Sequence, residues 1–117
     1  MRIITLNVNG IRSAARKGFF EWVKLQNADI ICLQETKAQE DQLDASHYPQ
    51  GYQSYFFDAE KKGYSGVAIY SRVKPDSITA GLGWECADKE GRYLQLNFPG
   101  LSVASLYMPS GSSGELR

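Results

Sequence analysis

Amide, carboxylate and phenol side chains stand in this sequence where strand-like runs end, and together they suit the holding of a phosphate and a hard metal ion. Asn7-Val8-Asn9-Gly10 closes the first apolar run. In open α/β sheets, ligands collect beyond the carboxyl ends of the strands. Two asparagines there could orient a phosphate or a metal-bound water, although Asn-Gly taken alone is more often a plain turn. Gln34-Glu35-Thr36-Lys37 follows the second apolar run directly. If the two runs are parallel neighbours, Glu35 projects beside Asn7 and Asn9. A carboxylate at that edge suits Mg²⁺, which is often held by one or two carboxylates together with waters and phosphate oxygens. The plain alternative is a surface glutamate paired with Lys37.

Three further stretches carry chemistry of the same kind. Lys61-Lys62-Gly63-Tyr64-Ser65-Gly66 places two lysines and a tyrosine between glycines. That composition suits a loop laid against a nucleic-acid strand, or equally a β-turn with solvated lysines. Glu90-Gly91-Arg92 opens a strand, with Arg92 either a phosphate contact or an edge residue. Tyr107-Met108-Pro109-Ser110 closes the last strand with a tyrosine at its carboxyl end, again on the prospective catalytic edge, where a packed core tyrosine is equally consistent. His47 has no cysteine or histidine partner at ligand spacing and reads as a surface residue. There is no G-x-S-x-G, no phosphate-binding glycine loop and no second carboxylate clearly placed for acid–base work.

The elements that must position these groups follow from periodicity. Residues Arg2 to Val8 read as a buried strand, and Asp29 to Leu33 as a second. Between them, Ser13 to Asn27 is helical, with Phe19, Phe20 and Val23 on one face, Trp22 beside them, and Gly18 interrupting the first turn. Strand, helix and strand over about 30 residues make a βαβ unit with a parallel pair. A polar segment with weak helical pattern runs from Gln39 through Leu43. Tyr52 to Phe57, Gly66 to Ser71, Arg92 to Phe98 and Leu101 to Met108 read as strands, with turns at Lys74-Pro75-Asp76 and a hairpin at Pro99-Gly100.

The 117 residues fit one small domain or a piece of a larger one, with 43% hydrophobic and 22% charged residues, as in a soluble globular protein. No run approaches the ~20 apolar residues of a membrane helix. The opening residues lack the length and cleavage site of a secretory signal, so a cytoplasmic protein with an intact amino terminus is expected. Cys32 and Cys86 have no metal-ligand spacing, and Cys32 reads as a buried free thiol. The formal net charge is zero, so composition does not announce a nucleic-acid binder. The first 24 residues nonetheless carry Arg2, Arg12, Arg16, Lys17 and Lys24 against only Glu21. The residues alone thus reach an α/β protein with an edge site of Asn7 and Glu35, with Tyr107 a further candidate, without choosing its substrate.

Taken together and in order, Leu6-Asn7-Val8-Asn9-Gly10-Ile11-Arg12, Leu33-Gln34-Glu35-Thr36-Lys37, Gly63-Tyr64-Ser65-Gly66-Val67, Glu90-Gly91-Arg92 and Leu106-Tyr107-Met108-Pro109-Ser110 resemble the exonuclease III family of apurinic/apyrimidinic (AP) endonucleases. This family lies within the endonuclease/exonuclease/phosphatase superfamily. The resemblance covers essentially the whole chain. It implies a DNase I-like α/β fold, a four-layered sandwich of two β-sheets flanked by helices, in a chain about twice this length. Residues 1–117 would then be the amino-terminal portion of a single domain, incomplete at its carboxyl end.

By the same resemblance, Glu35 is the metal-binding glutamate, with Asn9 a second candidate ligand where many relatives carry aspartate. Asn7 and Tyr107 are active-site residues at the scissile phosphate. Arg12, Lys17, Gly63, Tyr64 and Arg92 match regions that grip the DNA backbone, and Ser110 stands where some relatives use asparagine to hold phosphate. The implied cofactor is Mg²⁺, with Mn²⁺ as a substitute. The implied partner is double-stranded DNA with abasic sites, met by a monomeric parent protein and no membrane.

The implied reaction is hydrolysis of the phosphodiester 5′ to an abasic site, with 3′→5′ exonuclease activity as a companion. The family's G-D-x-N and S-D-H motifs do not occur in these 117 residues. The chain alone is therefore expected to be inactive, since metal-assisted hydrolysis needs the full cage and an aligned nucleophile. It is also expected to self-associate through apolar surface that the second sheet would cover. The rival readings are another phosphodiesterase or phosphatase of the superfamily, and a truncated relative that binds DNA without cutting it.

Overall fold

The computed structural model describes residues 1–84 and 88–108. Strand β1 (Ile3–Asn7) is followed by helices α1 (Ile11–Arg16) and α2 (Phe19–Gln26), then by β2 (Ile30–Gln34). Two short 3-10 turns, Glu40–Gln42 and Ala45–His47, lead to β3 (Gln53–Phe57), β4 (Val67–Ser71), β5 (Ser77–Ala80), β6 (Tyr93–Phe98) and β7 (Leu101–Leu106). One sheet has the order β1-β2-β4-β3 and the other β5-β6-β7. β1 and β2 pair in parallel, Asn7 opposite Gln34, so the expected βαβ unit is present, and Gly18 does split the helical stretch in two.

Alternation along β2 and β4 builds two cores. Ile31, Leu33, Ala68 and Tyr70 face the helices and meet Ile11, Phe19, Phe20 and Val23. Ile30, Cys32, Val67 and Ile69 face the other way and meet Leu94, Leu96 and Val103 of the second sheet. All five residues of β4 are buried, because this strand is covered on both faces. The described layers are thus helices, sheet and sheet. The outer face of the second sheet carries a polar ladder: Gln95 donates to Asn97 at 2.6 Å, and Asn97 donates to Ser77 at 3.0 Å.

Four expectations need correction. β1 is an edge strand and not a buried one, with Ile3 at 45% and Leu6 at 38% exposure. Its apolar residues rest on one neighbour only, which periodicity does not reveal. β5 was not foreseen: Ser77-Ile78-Thr79-Ala80 does alternate, but over only four residues, directly after the turn at Lys74-Pro75-Asp76. Strands of a second sheet are present within this chain and cover the inner face of β2 and β4, and exposed apolar residues include Ile3 and Leu6 of the open edge β1 and Leu101 and Leu106 of the open edge β7.

His47 is buried, at 6% exposure. Its Nδ1 accepts from the Asp44 backbone N–H at 3.0 Å, its ring meets Phe20 edge-on, and its carbonyl accepts from the Tyr70 hydroxyl at 2.7 Å. A histidine is amphipathic enough to cap a turn and pack at once, and that use leaves no ligand-spacing signature.

Candidate active site

Beyond their last residues, β1 and β2 remain stitched together. Val8 donates to Gln34 O at 3.0 Å, Gly10 to Glu35 O at 2.7 Å and Ile11 to Thr36 O at 2.9 Å. On the other side, Thr36 donates to Gly66 O at 3.1 Å and Lys37 to Ser65 O at 2.8 Å. Three loops are thereby locked side by side at one end of the sheet. Among the described residues, five non-glycine residues have positive φ, and four of them, Asn9, Glu35, Lys37 and Ser65, lie in these loops. Left-handed backbone costs an L-residue about 1–2 kcal/mol, and such strain gathers at functional sites. It also aims the chain: Thr36 is buried, whereas Glu35 and Lys37 on either side of it both reach one cavity. Gly66 is required here, because at its φ of 87° an added Cβ would stand 2.3 Å from Thr36 Oγ1.

The four polar side chains at the strand ends close a ring. The Asn9 backbone N–H donates to Asn7 Oδ1 at 2.9 Å. Only an oxygen can accept that bond, so the Asn7 amide orientation is fixed and its Nδ2 donates to Glu35 Oε1 at 2.8 Å. Lys37 Nζ stands 3.4 Å from Glu35 Oε2 and donates to Asn9 Oδ1 at 2.6 Å. The Asn7 amide, then Lys37 and the Tyr107 hydroxyl, hold the Glu35 carboxyl below its ordinary value of 4.5, against an opposing push from partial burial. Each of these partners favours the charged form. Glu35 thus pairs with Lys37 and stands beside Asn7.

Tyr107 arrives from the second sheet. Its backbone N–H donates to Arg92 O at 2.8 Å, just past the end of β7. Gln34 fixes the alignment of the two sheets beneath it, donating from Nε2 to Thr5 Oγ1 at 3.0 Å and to Ser105 Oγ at 2.9 Å. Ser105 passes the bond on to Leu33 O at 2.8 Å. Thr5, Gln34 and Ser105 thus lie one layer below Asn7, Glu35 and Tyr107. Sequence reasoning missed this support, and the available signal was modest: polar residues inside otherwise apolar strands, two positions before the site in β1 and β7.

The cavity above has a volume of about 510 Å³ and is lined by Glu35, Lys37, Gly63, Tyr64, Ser65, Glu90 and Tyr107. Gly63 and Tyr64 therefore share a recess with the carboxylate. Tyr64 is 54% exposed and carries Lys61 Nζ 4.2 Å over its ring. Lys17 lines a separate apolar groove with Asn7, Asn9 and Trp22, and Arg12 lies in a third recess with Arg16 and His47. Arg92 is buried, and its guanidinium is held by Glu90, so in this chain it braces the cavity wall. Ser110 and Cys86 lie outside the described residues.

The donor set suits one class of ion. Among the described residues no group of three or more His, Cys, Asp or Glu is assembled. A single ionised carboxylate, partly open to the cavity, fits a hard cation that keeps most of its own waters.

Residues 4–109 match the family model for the endonuclease/exonuclease/phosphatase family, and the chain belongs to that family. Within it, the relatives are exonuclease III-type nucleases and AP endonucleases. The chain is 44% identical over 115 residues to an exodeoxyribonuclease of Bacillus subtilis, covering 97% of this chain and 45% of that one. An AP endonuclease structure from Archaeoglobus fulgidus superposes with a TM-score of 0.78 at 34% identity, over 92% of this chain and 41% of that one. A 3′ phosphatase from Neisseria, solved bound to a product DNA hairpin, superposes with a TM-score of 0.72 at 30% identity, over 89% of this chain and 40% of its own. The chain therefore spans less than half the length of these relatives.

Proposed function

We propose that this chain supplies the metal-binding carboxylate and the phosphate-orienting groups of a Mg²⁺-dependent DNA-repair phosphodiesterase that cleaves 5′ to abasic sites in duplex DNA, with 3′→5′ exonuclease activity as a companion. The observation that carries this reading is the convergence of Asn7, Glu35 and Tyr107 from three strands onto one ionised carboxylate. Glu35 would hold the cation, Mg²⁺ or Mn²⁺. That cation would neutralise charge on a phosphate oxygen and polarise it toward attack. The Asn7 amide and the Tyr107 hydroxyl, already oriented by their bonds to Glu35, would steady the phosphate as its charge grows. Lys17, Arg12 and the loop of Gly63 and Tyr64 would bear on the DNA backbone, with Arg92 supporting that loop from within. Ser110 is carried as a further phosphate contact. An abasic sugar leaves the stack cheaply because no base pairing holds it, which would favour such substrates.

A second reading, a protein that grips DNA without cutting it, is favoured by the carboxylates at the cavity: Glu35 and Glu90 are both engaged by cations, Lys37 and Arg92. Neither is placed as a free general base. The 117-residue chain alone is accordingly expected to be inactive. Its buried free thiol Cys32 agrees with a cytoplasmic setting.

The test is incision of a duplex oligonucleotide with one abasic site, with Mg²⁺ and with EDTA. It compares the full reading frame, its Glu35→Ala variant and the 117-residue chain. Mg²⁺-dependent cutting by the full frame alone, lost in the variant, is the expected result. No cutting by the full frame would move the function to another phosphodiester or to binding.

A further inference from the structure

Lys37 occupies an unusual place for a lysine beside a carboxylate read as a metal ligand. Its ammonium stands between Glu35 Oε2, at 3.4 Å, and Asn9 Oδ1, at 2.6 Å. It is held there by its own left-handed backbone at φ 52° and by the Lys37 N–H bond to Ser65 O at 2.8 Å. The Asn9 backbone is tied to Asn7 Oδ1 at 2.9 Å, so its side-chain oxygen faces the ammonium from a fixed base. The only side-chain oxygen of Asn9 is therefore engaged by a cation. The second oxygen of Glu35 is paired with the same cation, and its first accepts from Asn7 at 2.8 Å. Every anionic or carbonyl oxygen that β1 and β2 offer to a metal from Asn9 and Glu35 is already facing a donor.

We propose that Lys37 is the resident cation of this site, a positioning residue that aligns Glu35 with Asn9 and competes with a divalent ion for their oxygens. The inference rests on the reading of Glu35 as the metal ligand. A unit positive charge a few ångströms from the carboxylate opposes a second cation by simple repulsion, weakened but not abolished by solvent at a partly exposed site. Two consequences follow. The site binds Mg²⁺ or Mn²⁺ weakly in the absence of substrate. Asn9 becomes a metal ligand only when Lys37 leaves it, so in the resting protein the ion is carried by Glu35 alone. A substrate phosphate entering the cavity, which Lys37 lines, offers the ammonium a stronger anionic partner and so releases both oxygens.

The test is Mn²⁺ binding to the 117-residue chain, read as loss of the free-ion electron paramagnetic resonance signal. It compares wild type, Lys37→Met, Lys37→Arg and Glu35→Gln, with circular dichroism melts as the folding control. Lys37→Met is expected to bind Mn²⁺ about three- to tenfold more tightly, Lys37→Arg about as wild type, and Glu35→Gln far more weakly. Lys37→Gln, neutral but able to hydrogen-bond to Asn9, gives the same direction if methionine loosens the loop. Weakened binding in Glu35→Gln with no gain in either neutral Lys37 variant overturns this inference and leaves the metal reading intact. Unchanged binding in Glu35→Gln overturns the metal reading, and this inference with it.

Discussion

Gln34 Nε2 donates to Ser105 Oγ at 2.9 Å, a bond between the two sheets that sits directly beneath the carboxylate of Glu35. Ser105 is fully buried, and the same Gln34 amide also binds Thr5. The residues that follow these three, at most two positions on, are the ones that meet at the site. Removing Gln34 leaves a buried hydroxyl without its donor, which costs about 1–3 kcal/mol. A double-mutant cycle of Gln34→Ala and Ser105→Ala in urea unfolding should show a coupling of about 0.5–1.5 kcal/mol. Strict additivity would mean that the bond does not tie the sheets together.

Glu35 should remain ionised at pH values where an ordinary glutamate is already taking up protons, because Asn7 above all, with Lys37 and Tyr107, favours the anion. Its folded pKa lies below the unfolded one, so the associated stability is present above the unfolded value and is lost as pH falls through the folded one. Asn7→Ala should raise the carboxyl pKa of Glu35, read by carbon-detected NMR titration of the side chain. An unmoved titration would show that Asn7 does not hold it.

Cys32 is buried between the sheets, and desolvation pushes its thiol from 9.0 up to about 11. In a Cys86→Ser background the Cys32 thiol should therefore resist thiol reagents at pH 8 in the native protein, and urea should release the reaction. The raised folded pKa also means that the unfolded chain loses its proton first as pH rises. Stability should fall between pH 9.0 and about 11, by at most about 2–3 kcal/mol from this group. A Cys32→Ala variant should lack that part of the decline in a comparison of urea midpoints across the same range.

Gly91 has φ 58°, and a Cβ added there would stand 2.4 Å from the carbonyl oxygen of Phe57. The neighbour is backbone and cannot swing away. Gly91→Ala should cost more than about 2 kcal/mol through combined strain and overlap. Because Gly91 sits between Glu90 and Arg92, the cavity wall should loosen with it, seen as faster amide exchange at Tyr107, whose N–H donates to Arg92 O. A variant as stable as wild type would contradict this packing.

β1 pairs only with β2 and β7 only with β6, so both sheets end in open strands, and Ile3, Leu6, Leu101 and Leu106 are exposed along them. Unpaired, apolar strand edges template association. Sedimentation of the chain should reveal concentration-dependent self-association, reduced by a lysine at position 3 or 101. A single monomeric species throughout would show that the edges are protected in solution.

Much of the fold was legible in the residues. The βαβ opening, the break at Gly18 and the Pro99-Gly100 hairpin are local matters of period and turn chemistry, and the structure keeps them. The strands read with one residue more or less at their ends, and two at the end of β7, because a period of two marks the middle of a strand better than its margins. β5 escaped because it is only four residues long, and two apolar residues, Ile78 and Ala80, are too few to mark a period. His47 and Arg92 were misplaced for a shared reason: polar residues are buried when the fold supplies partners, and those partners, Asp44 with Tyr70 and Glu90, are recognised only once the chain has closed.

The sequence by itself determined which groups could do chemistry and on which strand ends they stand, since residue type and hydrophobic period are properties of the chain. Asn7 and Glu35 were placed at one edge on that ground alone, with Tyr107 left between that edge and the core. Only the tertiary structure decided how those groups are joined. The ring through Asn7, Glu35, Lys37 and Asn9, the left-handed backbone that aims it, and the Gln34 bond between sheets depend on loops brought within hydrogen-bond distance across 28 to 71 positions of sequence. A hydrogen bond is short and directional, so it exists only when packing has fixed both partners, and no pattern along one chain records that distance.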